Sequence, residues 1–329
     1  METGKKEVKT PEQAAAEVAE RLLQQEKTEG KAAGERQNGK RLRAGCRVGI
    51  VCCSDGLGPG QMAQTEVLCR KLKDMGLDPA VSPYLARRDT IASASARERA
   101  GILMEYYRDP DICAVFDVSG GNLANQVLEY LDFSVIRDSG KELWGYSDLT
   151  VLLNGILART GNSGWLYQMR NLAGECQEEQ ERRFRSWLAG EETAILPDSW
   201  KFLQGREMEG ILAGGNIRCL LKLAGTDYFP ELEGKVLFLE SLNGGVGVVA
   251  SLLTQLGQMK VFEKISGLLL GTFTEMEEKQ LRPRVEQLVL EAAGNPRLPV
   301  AYTRQAGHGA DSRALHMGTF FHLCDPMEG

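Results

Sequence analysis

A serine, a histidine and a glutamate occupy positions from which their side chains could cooperate in acyl transfer. Ser147, in "KELWGYSDLT", falls between a strand-like and a helix-like stretch. Acyl transfer by serine needs a base to remove the hydroxyl proton and a carboxylate to orient that base. It also needs two N–H donors directed at the developing oxyanion. The N–H of Asp148, in the first turn of the predicted helix, is free to act as one donor.

All three histidines lie within the last 22 residues. His308 is the candidate base, because Gly307 and Gly309 bracket it in a loop where a side chain can face a cleft. His316 and His322 fall in "LHMGTFFHL", where period-two alternation places both on one face of a single closing strand. We interpret these two as structural or solvent-facing. A loop role without catalysis stays open for His308.

The candidate carboxylate is Glu240, which closes the apolar run "KVLFLES". A charge at the end of a buried strand is placed to reach a site, although it could also turn to solvent. Gly120 and Gly121 could supply the second oxyanion donor or form only a tight turn. Ser147 could be a helix N-cap, because Leu149 stands where a full G-x-S-x-G elbow has glycine.

Two glycine-rich stretches match nucleotide-binding motifs only in part. "GGVGVVA" at 244–250 matches G-x-G-x-x-A between a predicted strand and helix, and Glu275 follows the next strand. The acid lies 30 residues after Gly245 (275 minus 245) rather than about 20. "SDGLGPG" at 54–60 lacks the Lys-Ser/Thr of a P-loop. We therefore expect no organic cofactor, and no metal either, since no cysteine–histidine cluster has zinc-ligand spacing.

The elements that must position these residues begin at Cys46. Strands are predicted in "CRVGIVCCS", "LDPAVSPY", "DICAVFDVS" and "KELWGYS", and helices in "MAQTEVLCRKLKDMG", "SARERAGILMEYYRD" and "DLTVLLNGILARTG". This alternation predicts a parallel, flavodoxin- or Rossmann-like sheet covered by helices on both faces. The "SGG" at 119–121 and Ser147 both fall at carboxyl ends of strands, where such sheets bind ligands.

The rest of the chain predicts a second α/β domain from about Gly205. Its strands are expected in "KVLFLES", "ISGLLLGTF", "PVAYTRQ" and "ALHMGTFFHL", with helices ending near Ala224, in "VVASLLTQLGQM" and near 281–293. We predict four segments, with the site in the cleft between the two domains. They are a charged extension with one helix at 11–25 (1–45), a nucleophile domain (46–173), a polar connection (174–204) and a C-terminal domain carrying Glu240 and His308 (205–329).

Composition excludes several classes of function. The chain has 329 residues, 43% of them hydrophobic, and can bury a sizeable core. Its net charge of -6 argues against a nucleic-acid binder, which needs a basic face. No apolar run approaches the roughly 20 residues that span a bilayer, so we expect no membrane association and a cytoplasmic location. The eight cysteines are expected to be reduced and mostly in the core.

From about Cys46 to Asp325 the chain resembles the LD-carboxypeptidases, serine peptidases that include the microcin-immunity peptidases. The order of Ser147, Glu240 and His308 is part of this likeness. The blocks that carry it are "VGIVCCS", "DPDICAVFDVSGGNLANQVLEYLDF", "GYSDLTVLLNGILARTG", "GILAGGNIRCLLKLAGTDYF", "EGKVLFLES" and "AGHGADSRALHMG". Each block is weak alone, and their order and spacing together make the resemblance specific.

By position, the resemblance implies that Ser147 is the nucleophile, His308 the general base and acid, and Glu240 the carboxylate that orients His308. It implies an oxyanion hole made by the Asp148 N–H and a glycine N–H at 120–121. The activity it implies is hydrolysis of an amide between an L-centred and a D-amino acid, with release of D-alanine from murein tetrapeptides in cell-wall recycling. The implied partner is a small peptide substrate, and a homodimer is expected by analogy.

The sequence departs from the family where substrate would be held. Ser119 stands where the family usually has arginine, and "GNSGWLYQMRNL" lacks the usual histidine-glycine-proline. Ser312 and His316 replace a usual asparagine and proline. Two alternatives therefore stay open. One is an immunity-type peptidase that cleaves a peptide-nucleotide or acyl-adenylate antibiotic, and the other is a non-catalytic ligand-binding descendant.

Overall fold

The computed structural model describes residues 42–88 and 90–325. The helix predicted at 11–25 lies outside the described residues. Leu42 is buried, and the Gly45 N–H donates to the Gly76 carbonyl at 2.7 Å. The last residues of the predicted extension therefore already pack against the folded part of the chain.

The first sheet has six strands, five of them parallel and joined by crossovers; four of these five were predicted, and β5 was not. In chain order they are β1 (Arg47–Val51), β2 (Asp78–Val81), β3 (Ile112–Asp117), β4 (Glu142–Gly145), β5 (Gly164–Leu166) and β11 (Leu315–Met317). Their spatial order is β11-β5-β4-β3-β1-β2, with β11 antiparallel to β5. The apolar runs of β1 and β3 are typical of strands buried on both faces.

Helices accompany the first sheet, with 3-10 turns between them. The α-helices are α1 (Pro59–Asp74), α2 (Ala96–Arg108), α3 (Phe133–Ser139), α4 (Thr150–Thr160) and α5 (Gln177–Leu188); the 3-10 turns are Ala124–Tyr130, Ser147–Leu149 and Met169–Ala173. Between the glycine loop, residues 119–121, and β4 the chain forms the 3-10 turn Ala124–Tyr130 and then the separate helix α3. Asp132 separates the two, because its Oδ1 accepts from the N–H groups of Ser134 and Val135 and so caps α3.

The second sheet also has six strands, and its four central strands are parallel. They are β6 (Lys201–Gln204), β7 (Glu207–Asn216), β8 (Val236–Ser241), β9 (Gly267–Phe273), β10 (Val300–Tyr302) and β12 (Phe320–Cys324), in the order β12-β7-β8-β9-β10-β6. Its helices are α6 (Ile217–Leu221), α7 (Val246–Gln258), α8 (Val261–Lys264), α9 (Thr274–Glu278) and α10 (Val285–Ala293). The two layers confirm the predicted α/β architecture.

The prediction of one closing strand in "ALHMGTFFHL" is wrong. Gly318 has φ +81, and a Cβ there would lie 3.0 Å from the Ser163 Cα, so the chain turns where only glycine is comfortable. The turn separates β11 from β12, which belong to different sheets. His316 and His322 therefore do not share a strand face.

The stretch predicted as a polar connection, 174–204, contains α5 and β6. Helix α5 is charged outside but buries Phe184 and Trp187, which meet the Trp144 ring edge-on with centroids 6.0 and 5.1 Å away. Trp165 stacks on Trp144 at 4.8 Å. This aromatic cluster packs the predicted connection against β4 and β5 of the first sheet.

Candidate active site

Ser147 lies at a sharp turn between β4 and the helical stretch that follows. Tyr146 is still extended, with φ -151, whereas Ser147 has φ +55, a left-handed conformation that a residue with a Cβ rarely adopts. A Cβ on Gly145 would lie 2.6 Å from that of Leu149. Glycine before the turn thus lets α4 fold back closely on its strand. Such strain is found at functional sites when the surrounding structure enforces it.

The structure brings Ser147, His308 and Glu240 together at the junction of the two sheets. The Ser147 Oγ lies 3.1 Å from the His308 Nε2, and the His308 Nδ1 lies 2.6 Å from the Glu240 Oε2. Ser147 follows β4 of the first sheet, Glu240 lies in β8 of the second, and His308 lies in the loop that leads from β10 of the second sheet to β11 of the first. The geometry is that of a nucleophile hydrogen-bonded to a base whose other nitrogen is held by a carboxylate.

Glu240 is fully buried near the end of β8. Its Oε1 accepts from the Asn216 Nδ2 at 2.9 Å, and Asn216 is the residue directly opposite in the parallel register of β7 and β8. Both carboxylate oxygens are therefore bonded, as a buried charge requires. Sequence reasoning did not select Asn216. Its place at the end of the strand next to Glu240 is the signal that could have found it.

The loop that carries His308 is fixed from several sides. The His308 N–H donates to the Thr272 Oγ1 at 3.3 Å, and the Gly307 N–H donates to the Ser312 Oγ at 3.1 Å. The buried Gln180 of α5 donates through Nε2 to the carbonyls of Ala310 and Ser312. The helix in the predicted connection therefore supports the candidate base.

The glycine loop, residues 119–121, lies against Ser147. A Cβ on Gly120 would be 3.8 Å from that of Ser147, which is ordinary contact. Gly121 has φ +126, and a Cβ there would lie 2.1 Å from the Asp55 carboxyl carbon, so no larger residue fits. The N–H groups of Gly120 and Gly121 donate no hydrogen bond within the described residues. They are free to bind a substrate oxygen.

The side chain of Asp148 is buried beneath the turn. Its Oδ2 accepts from the Ser54 Oγ at 2.6 Å and from the Ala124 N–H at 2.8 Å, and its Oδ1 pairs with the Lys222 ammonium. These contacts join the turn that precedes α4 to the glycine loop and to the second half of the chain. The carboxylate thus fixes the position of a residue whose N–H was predicted as an oxyanion donor.

A pocket of about 230 Å³ opens beside His308. Its wall includes Gln64, Tyr146, Arg170 and Leu242. The Tyr146 ring packs on the His308 ring with centroids 4.4 Å apart. Burial, with a contribution from the Glu240 charge, raises the pKa of Tyr146 well above its usual value. This phenol therefore remains neutral and shields the histidine from solvent on one side.

The cysteines near the site are poor nucleophiles. Burial, followed by the charge of Asp117, raises the pKa of Cys52 to about 12 and shifts the pKa of Cys53 upward in the same way. Both remain thiols near neutral pH, whereas nucleophilic attack needs the thiolate. All eight cysteines are free, and four of them are buried.

The glycine stretch at 244–250 has a structural partner. The Gly244 N–H donates to the Glu275 Oε2 at 2.6 Å, so the acid that would bind a ribose in a dinucleotide site is used by the turn itself.

Among residues 42–88 and 90–325, no group of three or more His, Cys, Asp or Glu side chains could hold a metal ion. Nor does any helix in those ranges have the length and apolar character needed to cross a membrane.

Two family models cover most of the folded part of this chain. The LD-carboxypeptidase N-terminal domain matches residues 48–167, and the LD-carboxypeptidase C-terminal domain matches residues 209–323. The chain belongs to the LD-carboxypeptidase family. The first model contains Ser147 and the glycine loop, and the second contains Glu240 and His308.

Relatives within the LD-carboxypeptidases carry two kinds of name. Murein tetrapeptide carboxypeptidase of Pseudomonas aeruginosa is 27% identical over 277 residues, covering 80% of this chain and 90% of its own length. The microcin C7 self-immunity protein MccF of Escherichia coli is 26% identical over 268 residues, covering 70% and 77%. The structure of MccF in complex with glutamyl sulfamoyl guanosine is similar in fold, with a TM-score of 0.76 at 21% identity, over 86% of this chain and 97% of MccF.

The positions where this chain departs from the LD-carboxypeptidase pattern all have defined contacts. Ser119 is buried, donates to the Asp117 Oδ1 at 2.5 Å and accepts from the Ser54 N–H at 2.9 Å. Ser312 supports the His308 loop. His316 stacks on the Trp165 ring at 4.0 Å. The departures therefore leave the three candidate catalytic side chains in contact while changing their surroundings.

Proposed function

We propose that this chain is a serine carboxypeptidase that hydrolyses the amide between an L-centred and a D-amino acid, releasing D-alanine from murein tetrapeptides. The observation that carries the proposal is the continuous hydrogen-bond path from Ser147 through His308 to Glu240. Family membership supplies the reaction class, and the murein tetrapeptide carboxypeptidase relative supports the substrate.

In the first step, the His308 Nε2 accepts the Ser147 hydroxyl proton as the Oγ attacks the carbonyl carbon of the scissile amide. The carbonyl oxygen becomes an oxyanion. The Asp148 N–H, at the start of a helical stretch, and an N–H of Gly120 or Gly121 are the proposed donors to it.

In the second step, the C–N bond breaks and protonated His308 gives its proton to the leaving amine, which departs as a free D-amino acid. A water molecule then attacks the acyl-enzyme while His308 removes its proton; the ester C–O bond breaks, His308 returns the proton to the Ser147 Oγ, and the shortened peptide leaves with a free carboxyl group. Glu240 acts through His308 and forms no bond to the substrate. Its role is to hold the Nδ1–H tautomer of His308 and to stabilise the imidazolium that forms twice per cycle.

The decisive test is mass spectrometry of a muropeptide mixture incubated with the wild-type protein and with Ser147→Ala. The wild type should remove one terminal D-alanine from tetrapeptides. The variant should lose roughly 10⁴-fold or more of that rate while keeping its melting temperature, because the hydroxyl takes little part in packing. Equal turnover by the variant would exclude this mechanism.

The relationship to MccF favours a second candidate function, cleavage of a peptide-nucleotide or acyl-adenylate antibiotic. Parallel turnover measurements on a tetrapeptide and on an aminoacyl sulfamoyl adenosine separate the two substrates. A non-catalytic ligand-binding role is tested by labelling with a fluorophosphonate. Labelling at Ser147 that is lost in His308→Ala would contradict that role. A cytoplasmic location and a homodimer remain predictions.

A further inference from the structure

Arg170 lies in the wall of the pocket that His308 also lines. It follows β5 in the 3-10 turn Met169–Ala173, at the carboxyl edge of the first sheet. The next residue, Asn171, donates through Nδ2 to the Gly309 carbonyl at 3.3 Å. The segment that carries the guanidinium is therefore attached directly to the loop that carries the candidate base.

The Arg170 side chain is held by two neutral oxygens. Its Nε donates to the Val118 carbonyl at 2.8 Å, and its Nη1 donates to the Gln64 Oε1 at 3.1 Å. The Gln64 amide cannot turn away, because its Nε2 donates to the carbonyls of Arg170 and Ala173. A guanidinium has five N–H groups, so three remain after these contacts.

No carboxylate of the described residues forms an ion pair with Arg170. The nearby Asp117 acts on it only from a distance, because its oxygens accept from the Cys53 N–H and from the N–H and hydroxyl of Ser119. Burial lowers the pKa of Arg170, and the charge of Asp117 offsets this only in part. A partly buried cation without a counter-ion is unfavourable unless a ligand supplies one.

We propose that Arg170 binds the terminal carboxylate of the leaving amino acid and so makes this site specific for free C-termini. The inference rests on the proposed function. In a carboxypeptidase substrate, one Cα separates the carboxylate from the nitrogen that receives the His308 proton. The carboxylate must therefore lie close to His308, in the pocket whose wall contains both His308 and Arg170. Guanidinium and carboxylate match as a planar, two-bonded pair.

The size of the pocket supports a small occupant. Its volume of about 230 Å³ is below the roughly 300–1,000 Å³ of pockets that enclose drug-sized ligands. A single amino acid with its carboxylate is smaller than a nucleoside. The half-exposed Leu242 on the same wall offers an apolar contact to a short side chain such as a methyl group.

The test compares a murein tetrapeptide that ends in a free carboxylate with the same peptide ending in an amide. Wild-type kcat/KM should be about 100-fold or more higher for the acid, because the amide leaves the guanidinium unpaired. Arg170→Gln should lower kcat/KM for the acid by about 100-fold and change that for the amide by less than about threefold. Arg170→Lys keeps the positive charge but not the planar pair of N–H donors, so its kcat/KM for the acid should lie between those of the wild type and Arg170→Gln.

Arg182→Gln is the matched control, because Arg182 is an exposed arginine paired with Glu179 on the surface of α5. It should leave both rates unchanged. If Arg170→Gln lowers the rates on acid and amide equally, with an unchanged melting temperature, Arg170 has only a structural role and the inference is wrong.

A binding measurement separates this inference from the proposed catalysis. In the Ser147→Ala background, calorimetry should show tighter binding of the tetrapeptide acid than of the amide, and Arg170→Gln should remove the difference. That preference would support Arg170 even if the wild type proved unable to cleave the peptide. Cleavage of the acid and the amide with equal efficiency would overturn the inference while leaving the hydrolase proposal intact.

Discussion

Two histidine–glutamate pairs in this protein have almost the same hydrogen bond and very different surroundings. His308 bonds Glu240 through Nδ1 at 2.6 Å, and His316 bonds Glu142 through Nε2 at 2.5 Å. The side chains of the first pair are 6% and 1% exposed, and those of the second 25% and 29%. The first pair lies at the junction of the sheets, and the second at the edge where β11 joins β5.

The decisive difference lies in what else each pair contacts. The His308 Nε2 faces the Ser147 hydroxyl, whereas the His316 ring lies flat on Trp165, with an interplanar angle of 6°. The Glu142 carboxylate also accepts from the Ser163 hydroxyl and the Trp165 indole. The same two side-chain types thus face a candidate nucleophile in one place and fasten an edge strand in the other. A histidine–carboxylate pair is therefore evidence for catalysis only when the second nitrogen faces a reactive group.

The largest expected effect comes from removing the two histidines in turn. His308→Ala should reduce turnover of the tetrapeptide by about 10⁴–10⁶-fold, because no other basic side chain in the described part of the chain is hydrogen-bonded to Ser147. His316→Ala should keep turnover within about threefold, since the ring faces no reacting atom. Steady-state kinetics on both variants checks this contrast. A comparable loss in both would show that the edge strand takes part in catalysis.

The next contrast changes each carboxylate to its amide. Glu240→Gln should lower kcat by about 10⁴-fold, because the amide cannot hold the required histidine tautomer or stabilise the imidazolium. Glu142→Gln should leave kcat nearly unchanged and lower the free energy of unfolding by about 1–3 kcal/mol, since three hydrogen bonds to a charged group are weakened. Urea unfolding followed alongside kinetics measures both quantities. A Glu240→Gln protein with full activity would remove Glu240 from the mechanism.

The smallest effect concerns acid stability. Burial alone would raise the pKa of Glu142, but the hydrogen bonds from His316, Ser163 and Trp165 outweigh it and hold the pKa below the usual 4.5. A lowered folded-state pKa gives stability that is complete above about pH 4.5 and is lost as the pH falls through the folded value. The difference in unfolding free energy between wild type and Glu142→Gln should therefore be full at pH 7 and shrink in acid.

The exposed pair His322–Glu207 is the control for this measurement. Its side chains are 43% and 67% exposed, and a solvated ion pair contributes at most about 1 kcal/mol. Glu207→Gln should change the unfolding free energy little at either pH. If its effect equals that of Glu142→Gln, burial and stacking do not explain the behaviour of the inner pair.

The parallel strands of the first sheet were predictable because strands buried on both faces are continuous apolar runs. β5 was not predictable, because a strand of three residues shows too little sequence pattern. The division of the predicted closing strand into β11 and β12 was not predictable either, because it depends on the single glycine at 318. Helix α5 was taken as a connection because only Phe184 and Trp187 mark its buried face. Two apolar residues are too few to produce a clear helical periodicity when most of the helix is charged.

The candidate site divides in the same way. Ser147, Glu240 and His308 stand next to clear sequence signals: a strand–helix junction, the end of an apolar strand and a glycine-flanked loop. Arg170 and Gln64 do not, because their contact joins segments 106 residues apart in the chain. The candidate catalytic residues can be recognised from the local sequence around them. Residues that line a pocket come together only through tertiary packing, which the local sequence does not show.

The path of the chain after His308 limits how this enzyme can move. The stretch 303–314 leaves β10 in one sheet and enters β11 in the other, with the histidine in between. His308 therefore lies in a loop whose two ends are fixed in strands of different sheets. A hinge motion that opened the halves would have to extend this stretch or pull β11 away from β5. We therefore expect substrate to enter through side-chain and loop movements at the pocket mouth, with the distance from serine to histidine preserved throughout the cycle.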